Sequence, residues 1–225
     1  MRIGILQAEE FDAPTQAALG PYQGLFERLL AGHGFSYQAW NVEAMDFPDS
    51  LDEAEGWLIT GSTAGAYEDH PWITPLEDMI RATHSSGRPL VGICFGHQII
   101  AQALGGRVEK HAGGWCVGRH VYQIEGREVP LNAWHQDQVV TLPPAARRLG
   151  QSPFCVNAVL AYGDTGLTYQ PHPEFDTGVT GFFADSLEGK VPKANLDAAK
   201  AALHLPTEGC MIGQQIAAHF LQNRG

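Results

Sequence analysis

The chain has no apolar run near the ~20 residues that a membrane-spanning helix needs. Its opening, MRIGILQAEEF, lacks the basic segment and apolar stretch of a secretory leader. Positive charge is scarce: 14 Lys and Arg stand against 25 Asp and Glu, a formal net charge of -11. Such a surface repels phosphate backbones and anionic lipid, so neither nucleic acid nor membrane is expected as a partner, and a small zwitterionic substrate suits it better. Cysteine is sparse as well. Cys94, Cys116, Cys155 and Cys210 lie scattered, a poor match to a secreted disulfide framework, and read as reduced thiols. There is no G-x-x-x-x-G-K-[ST] phosphate loop, repeat, low-complexity tract or linker. These absences predict a soluble, cytoplasmic protein with one domain over residues 1–225.

What is present is ordinary globular composition, 44% hydrophobic and 17% charged over 225 residues. Short apolar runs at Arg2–Ala8, Phe35–Val42, Gly56–Thr60 and Pro89–Cys94 read as strands. Between and after them, Pro21–Ala31, Thr74–Thr83 and Phe95–Leu104 carry helical periodicity and end in glycine-containing stops. Strands alternating with helices imply βαβ units, hence an α/β fold with a mostly parallel sheet covered on both faces. From Arg107 to Gln170 the texture turns to short strand-like pieces, among them Gly118–Ile124, Val139–Leu142 and Val156–Tyr162, expected as an antiparallel extension at the sheet edge. Helices are expected at Gly178–Leu187, Ala194–Leu203 and Cys210–Asn223.

Chemistry concentrates at Gly92-Ile93-Cys94-Phe95-Gly96, a G-x-C-x-G where a buried strand turns straight into a helix. This is the pattern of a nucleophile elbow with sulfur as the nucleophile. Glycines two residues to either side remove the Cβ atoms that would clash as strand and helix approach. A thiol at a helix N-terminus is favoured as thiolate, and the Phe95 N–H is aimed where an oxyanion would form. A second donor is expected from the glycine-rich Thr60–Gly65 loop, near Gly61 or Ser62.

A thiolate nucleophile needs an imidazole, and the imidazole a group to orient it. Of ten histidines, His172 in Gln170-Pro171-His172-Pro173-Glu174-Phe175 stands out, because the H-x-E spacing after the strand-like Gly166–Tyr169 brings carboxylate and ring together. The spacings Cys94/His97 and Cys116/His120 imitate a zinc pair. A structural zinc pair sits on a small knuckle, however, whereas Cys94 caps a core strand, so no metal is expected and no cofactor is called for.

The stretches GICFGHQ (92–98), Gly61-Ser62 in its loop, GSTAGAYED (61–69), WHQDQV (134–139) and QPHPEF (170–175) resemble the class I, or triad, glutamine amidotransferases. Within them the chain looks nearest to stand-alone proteins similar to the glutaminase domain of GMP synthetase. The resemblance runs from Arg2 to about Phe175. It implies a flavodoxin-like fold, Cys94 as the nucleophile that forms a γ-glutamyl thioester, His172 as acid/base and Glu174 as its orienter. It further implies an oxyanion hole of the Gly61 and Phe95 amides, substrate contacts from Gln98 and Ser62, and structural roles for His135 and Asp137. Two departures stand out. Cys116 occupies the middle of Gly-Trp-Cys-Val-Gly (114–118), where relatives carry an acidic residue, which puts the γ-glutamyl donor in question. Residues 177–213 have no counterpart and read as a family-specific cap. Three functions stay open: a glutaminase yielding glutamate and ammonia, with a separate synthase subunit as its partner; a γ-glutamyl peptidase or hydrolase with the same triad; and a non-catalytic binding or regulatory homologue.

Overall fold

Three of the first runs become strands with almost no exposed position and must be covered on both faces, whereas the second becomes an edge strand with three of its six residues exposed. In the computed structural model, which describes residues 1–223, these are β1 (Arg2–Gln7), β2 (Ser36–Asn41), β3 (Gly56–Ile59) and β4 (Leu90–Ile93). They pair in parallel in the order β2-β1-β3-β4, and β11 (Gly166–Tyr169) adds in parallel to β4. The helices are α1 (Ala13–Leu19), α2 (Tyr22–Leu29), α3 (Ile73–Ser86), α4 (Phe95–Ala103), α5 (Thr177–Ser186), α6 (Lys193–Ala201) and α7 (Gly209–Gln222). On one face Ile3, Ile5, Leu58, Val91 and Ile93 pack on Leu25 and Phe26 of α2 and Ile212, Ile216 and Phe220 of α7. On the other, Trp57, Ile59 and Leu90 pack on Leu76 and Ile80 of α3 and Ile99 and Ile100 of α4. Each fully buried aliphatic side chain contributes about 1.5–3 kcal/mol, so these two layers dominate stability.

The second half is antiparallel, as expected: β10 (Val159–Tyr162), β9 (Ala146–Gln151), β6 (Cys116–Ile124) and β7 (Arg127–His135) continue the sheet beyond β11, nine strands in all among the described residues. A separate ladder joins β5 (Arg107–Lys110) to β8 (Asp137–Thr141). The sequence reading did not anticipate α1, β5, β7 or β9. Helix α1 buries no residue and so shows no apolar stripe, although Asp12 caps it by accepting from the Thr15 N–H. Strand β7 contains Pro130, tolerated because β7 is the sheet's edge.

The β6–β7 hairpin returns toward the carboxyl end of the parallel strands. The His172 N–H donates to the Asn132 carbonyl at 2.8 Å, and the Asn132 amide donates to the Phe175 carbonyl at 2.8 Å. Helix α6 and the turn before it lie against this hairpin through Val117, Val191, Leu196 and Ala199, with Trp115 and Leu187 at the margin, and α5 meets it through Phe183 on Trp134. Among the described residues no helix is long and apolar enough to cross a membrane.

Candidate active site

Cys94 joins β4 to α4 with φ +53° and ψ -104°, a conformation that L residues rarely adopt and that neighbours must hold in place. Both flanking strands do so: the Cys94 N–H donates to the Tyr169 carbonyl of β11 at 2.8 Å, and the Gly96 N–H to the Thr60 carbonyl after β3 at 3.0 Å. The glycines are required by contact. A Cβ at Gly92 would lie 2.5 Å from the Gly96 carbonyl carbon and oxygen, and one at Gly96 would lie 2.3 Å from the Ile59 oxygen. The thiol ends up almost buried, 5% exposed, at the carboxyl edge of the parallel strands.

His172 and Glu174 follow β11 in a loop that the bond to Asn132 anchors. The ring's Nδ1 meets the Glu174 Oε1 at 2.7 Å, with the side chains 4% and 0% exposed. Phe175 stacks on the ring, centroids 4.0 Å apart and planes 17° from parallel. Burial alone would favour the neutral imidazole, but the charges of Glu174 and Cys94, with hydrogen bonding to both, outweigh it and raise His172 to about 10. The Cys94–Nε2 geometry nonetheless falls short of an aligned hydrogen bond: His172 Nε2 and Glu174 Oε2 have no partner among the described residues. A loose resting contact of this kind is common before substrate binds.

A cavity of about 270 Å³ opens beside this pair. One wall is Tyr22, Cys94 and His172; a polar end carries Glu9, Glu68, Lys110 and Asp137; and α5 with the following turn contributes Phe183, Leu187, Lys190 and Val191. Burial raises the carboxyls of Glu9 and Asp137, against the Thr63 backbone bond in the first and the Tyr67 and Lys110 contacts in the second.

Cys94, His172, Gln98 and Ser62 all line the cavity, and Gly61 backs it. Phe95 buries its ring against Trp72, centroids 5.4 Å apart, and as the first residue of α4 has no intrahelical acceptor for its N–H. The Gln98 amide nitrogen is engaged by the Asp137 carbonyl at 2.9 Å and the Gln170 Oε1 at 3.1 Å. Gln170 in turn points its amide nitrogen at the Cys94 sulfur, 3.7 Å away, and the thiol reaches the Trp134 carbonyl at 3.9 Å. His135 bonds the Asp137 carbonyl at 3.1 Å and is lowered to about 3 by burial. His97 lies wholly inside, 2.8 Å from the Thr168 hydroxyl, also lowered to about 3 by burial.

The suspicion attached to Cys116 needs correction: its thiol does not line the cavity but is buried beside Tyr122, and burial pushes it up to about 12. The neighbouring Trp115 lines the cavity instead. Sequence reasoning passed over Tyr22, Gln170 and Phe183. Gln170 adjoins the histidine motif, and Tyr22 sits at i-3 and i-4 from Leu25 and Phe26, where it reads as part of an apolar face.

The chain is similar to known proteins in both sequence and fold. The glutamine amidotransferase class-I family profile matches residues 28–184. Gamma-glutamyl peptidase 4 of Arabidopsis thaliana is 30% identical over 91% of this chain and 89% of its own length. The GMP synthase [glutamine-hydrolyzing] of Pyrobaculum aerophilum is 29% identical over 69% of this chain but only 31% of its own length. A crystal structure of a glutamine amidotransferase from Methylobacillus flagellatus superposes with a TM-score of 0.79 at 20% identity, covering 100% of this chain and 95% of that one.

Proposed function

The chain belongs to the glutamine amidotransferase class-I family of cysteine-dependent amidohydrolases, and from that premise we propose that it hydrolyses γ-glutamyl amide bonds through a thioester on Cys94. The observation that carries this reading is the His172 ring set between the Glu174 carboxylate and the Cys94 thiol at the wall of one cavity. The thiolate attacks the γ-carbonyl carbon while the carbonyl electrons move onto oxygen, which accepts from the Phe95 N–H and from a donor at the Gly61 wall. As the tetrahedral intermediate collapses, the C–N bond breaks and the His172 imidazolium gives its proton to the departing nitrogen. Water, deprotonated by the now neutral ring, then attacks the thioester and releases glutamate and the thiol. Glu174 holds the ring in orientation and favours its charged form. Gln98 and Ser62 contact the glutamyl part. The ligand is a small molecule, and residues 177–213 form a cap on a single domain.

The chamber beneath that cap favours a leaving group larger than ammonia. Phe183, Leu187 and Val191 would pack on such a group, while free glutamine would leave them unused. The similarity to the plant γ-glutamyl peptidase over nearly both full lengths supports the same choice. A second reading, a glutaminase that hands ammonia to a separate synthase subunit, is supported by the similarity to part of GMP synthase.

A glutamine-analogue chloroketone should add one label at Cys94 and none to Cys94→Ala, read by intact mass. A panel of glutamine and γ-glutamyl dipeptides, scored for glutamate release, should show higher kcat/KM for the dipeptides. His172→Ala should lose activity by about two orders of magnitude or more. Preference for glutamine would select the glutaminase reading, and failure of Cys94 to label would exclude both.

A further inference from the structure

Tyr22 is a polar residue that no part of the scheme above uses, yet it lies against the reacting atoms. It opens α2, with its ring stacked on Phe11 at 4.4 Å and tilted on Phe26 at 5.5 Å, and only 4% of it remains exposed. Its hydroxyl reaches the wall of the cavity that holds Cys94 and His172. A Cβ built on Gly61 would fall 2.5 Å from the Tyr22 Oη, 3.1 Å from the His172 Cε1 and 3.6 Å from the Cys94 Cβ. One point beside Gly61 is therefore shared by phenol, imidazole and nucleophile, and glycine is the residue that leaves it open.

The hydroxyl's own bonding shows which way it acts. The Gly61 N–H faces the phenol oxygen, so that amide, the expected second oxyanion donor, is directed to tyrosine. Among the described residues no carbonyl or carboxylate accepts the phenol proton. Burial, followed by the charges of Glu174, Cys94 and Glu9, raises this phenol well above its ordinary value, so it stays protonated whenever the enzyme is folded and active. A phenol whose oxygen faces an amide and which stands beside nucleophile and imidazole at the cavity wall is suited to donate its proton to a developing negative oxygen.

We propose that the Tyr22 hydroxyl donates the second hydrogen bond to the tetrahedral oxyanion, with the Gly61 N–H holding its oxygen in place and the Phe95 N–H supplying the other bond. The assignment rests on the γ-glutamyl hydrolase reading. Oxyanion stabilisation matters for acyl transfer, where a carbonyl oxygen takes up charge, and not for displacement at a saturated carbon, where no such oxygen forms. The two reactions of the same sulfur therefore separate Tyr22 from the machinery that makes the thiolate.

The test compares parent and Tyr22→Phe, which keeps both ring contacts, in hydrolysis of γ-glutamyl-p-nitroanilide and in alkylation of Cys94 by iodoacetamide, the latter followed by intact mass. The expected result is a fall in kcat of about 100-fold, the scale of a lost oxyanion donor, with KM little changed and the alkylation rate within about twofold of the parent. Unchanged kcat overturns the assignment. So does a parallel loss of both reactions, which would place Tyr22 in supporting the thiol or the fold. A parent that is alkylated at Cys94 but hydrolyses neither the anilide nor any γ-glutamyl amide overturns the functional reading and this assignment with it.

Discussion

The imidazole of His172 shows how three side chains share one charge. Burial pushes the ring toward neutrality, and it stays protonated past neutral pH because Glu174, 2.7 Å from Nδ1, and the Cys94 sulfur supply opposing negative charge. Removing one of those charges must lower the ring's affinity for its proton. Glu174→Gln, which keeps a hydrogen-bonding oxygen, should therefore move the alkaline limb of the kcat/KM profile to lower pH by at least one unit, measured against γ-glutamyl amides from pH 6 to 10. A limb that stays put would show that the carboxylate orients the ring without charging it. At this scale the sequence was most legible where chemistry is written locally: Cys94 in its glycine elbow, and His172 and Glu174 two residues apart. Tyr22 and Gln170 were not, because an aromatic among apolar neighbours and a glutamine before a proline carry no marker of where the backbone will bring them.

The strand-to-helix turn is the element on which the site depends. Its φ of +53° at Cys94 is held by hydrogen bonds that the turn donates to β11 and to the residue after β3, and by two positions with no room for a methyl group. A Cβ at Gly96 would sit 2.3 Å from a backbone oxygen of β3, and backbone at the centre of a sheet cannot yield as a flexible side chain does. Gly96→Ala should therefore cost about 3 kcal/mol or more by denaturant unfolding, or prevent recovery of folded protein. Equal midpoints for variant and parent would refute the contact. The parallel strands and their helices were legible because continuous apolar runs and a 3.6-residue stripe encode them directly. Helix α1, with no buried residue, and strand β7, with a proline inside, lack those signals and form because capping and a neighbouring strand suffice.

For the whole molecule the buried histidines set an acid limit. His97 and His135 fold as neutral rings lowered to about 3, so below the unfolded value, roughly 6.5, the unfolded chain binds protons that the folded chain refuses. Their contribution is complete above that value and is lost as pH falls, at up to about 1.4 kcal/mol per pH unit for each ring. His172 acts in the opposite sense: held protonated, it stabilises fully below about 6.5 and less as pH rises toward 10. The carboxyls of Glu9 and Asp137, raised by burial, oppose the acid loss only near their own lower range. Thermal midpoints at constant ionic strength should fall between pH 7 and pH 5, and a flat profile would contradict the neutral assignment. The antiparallel half was legible as a change of texture but not as a path, since its return to the site is made by single contacts such as that between His172 and Asn132. That return couples shape to reactivity. The sulfur hangs from the fourth strand, while the imidazole's loop leaves that strand's parallel neighbour β11 and is tied a second time, through Asn132, to the strand at the far edge, so the base is moored at both ends of the antiparallel half.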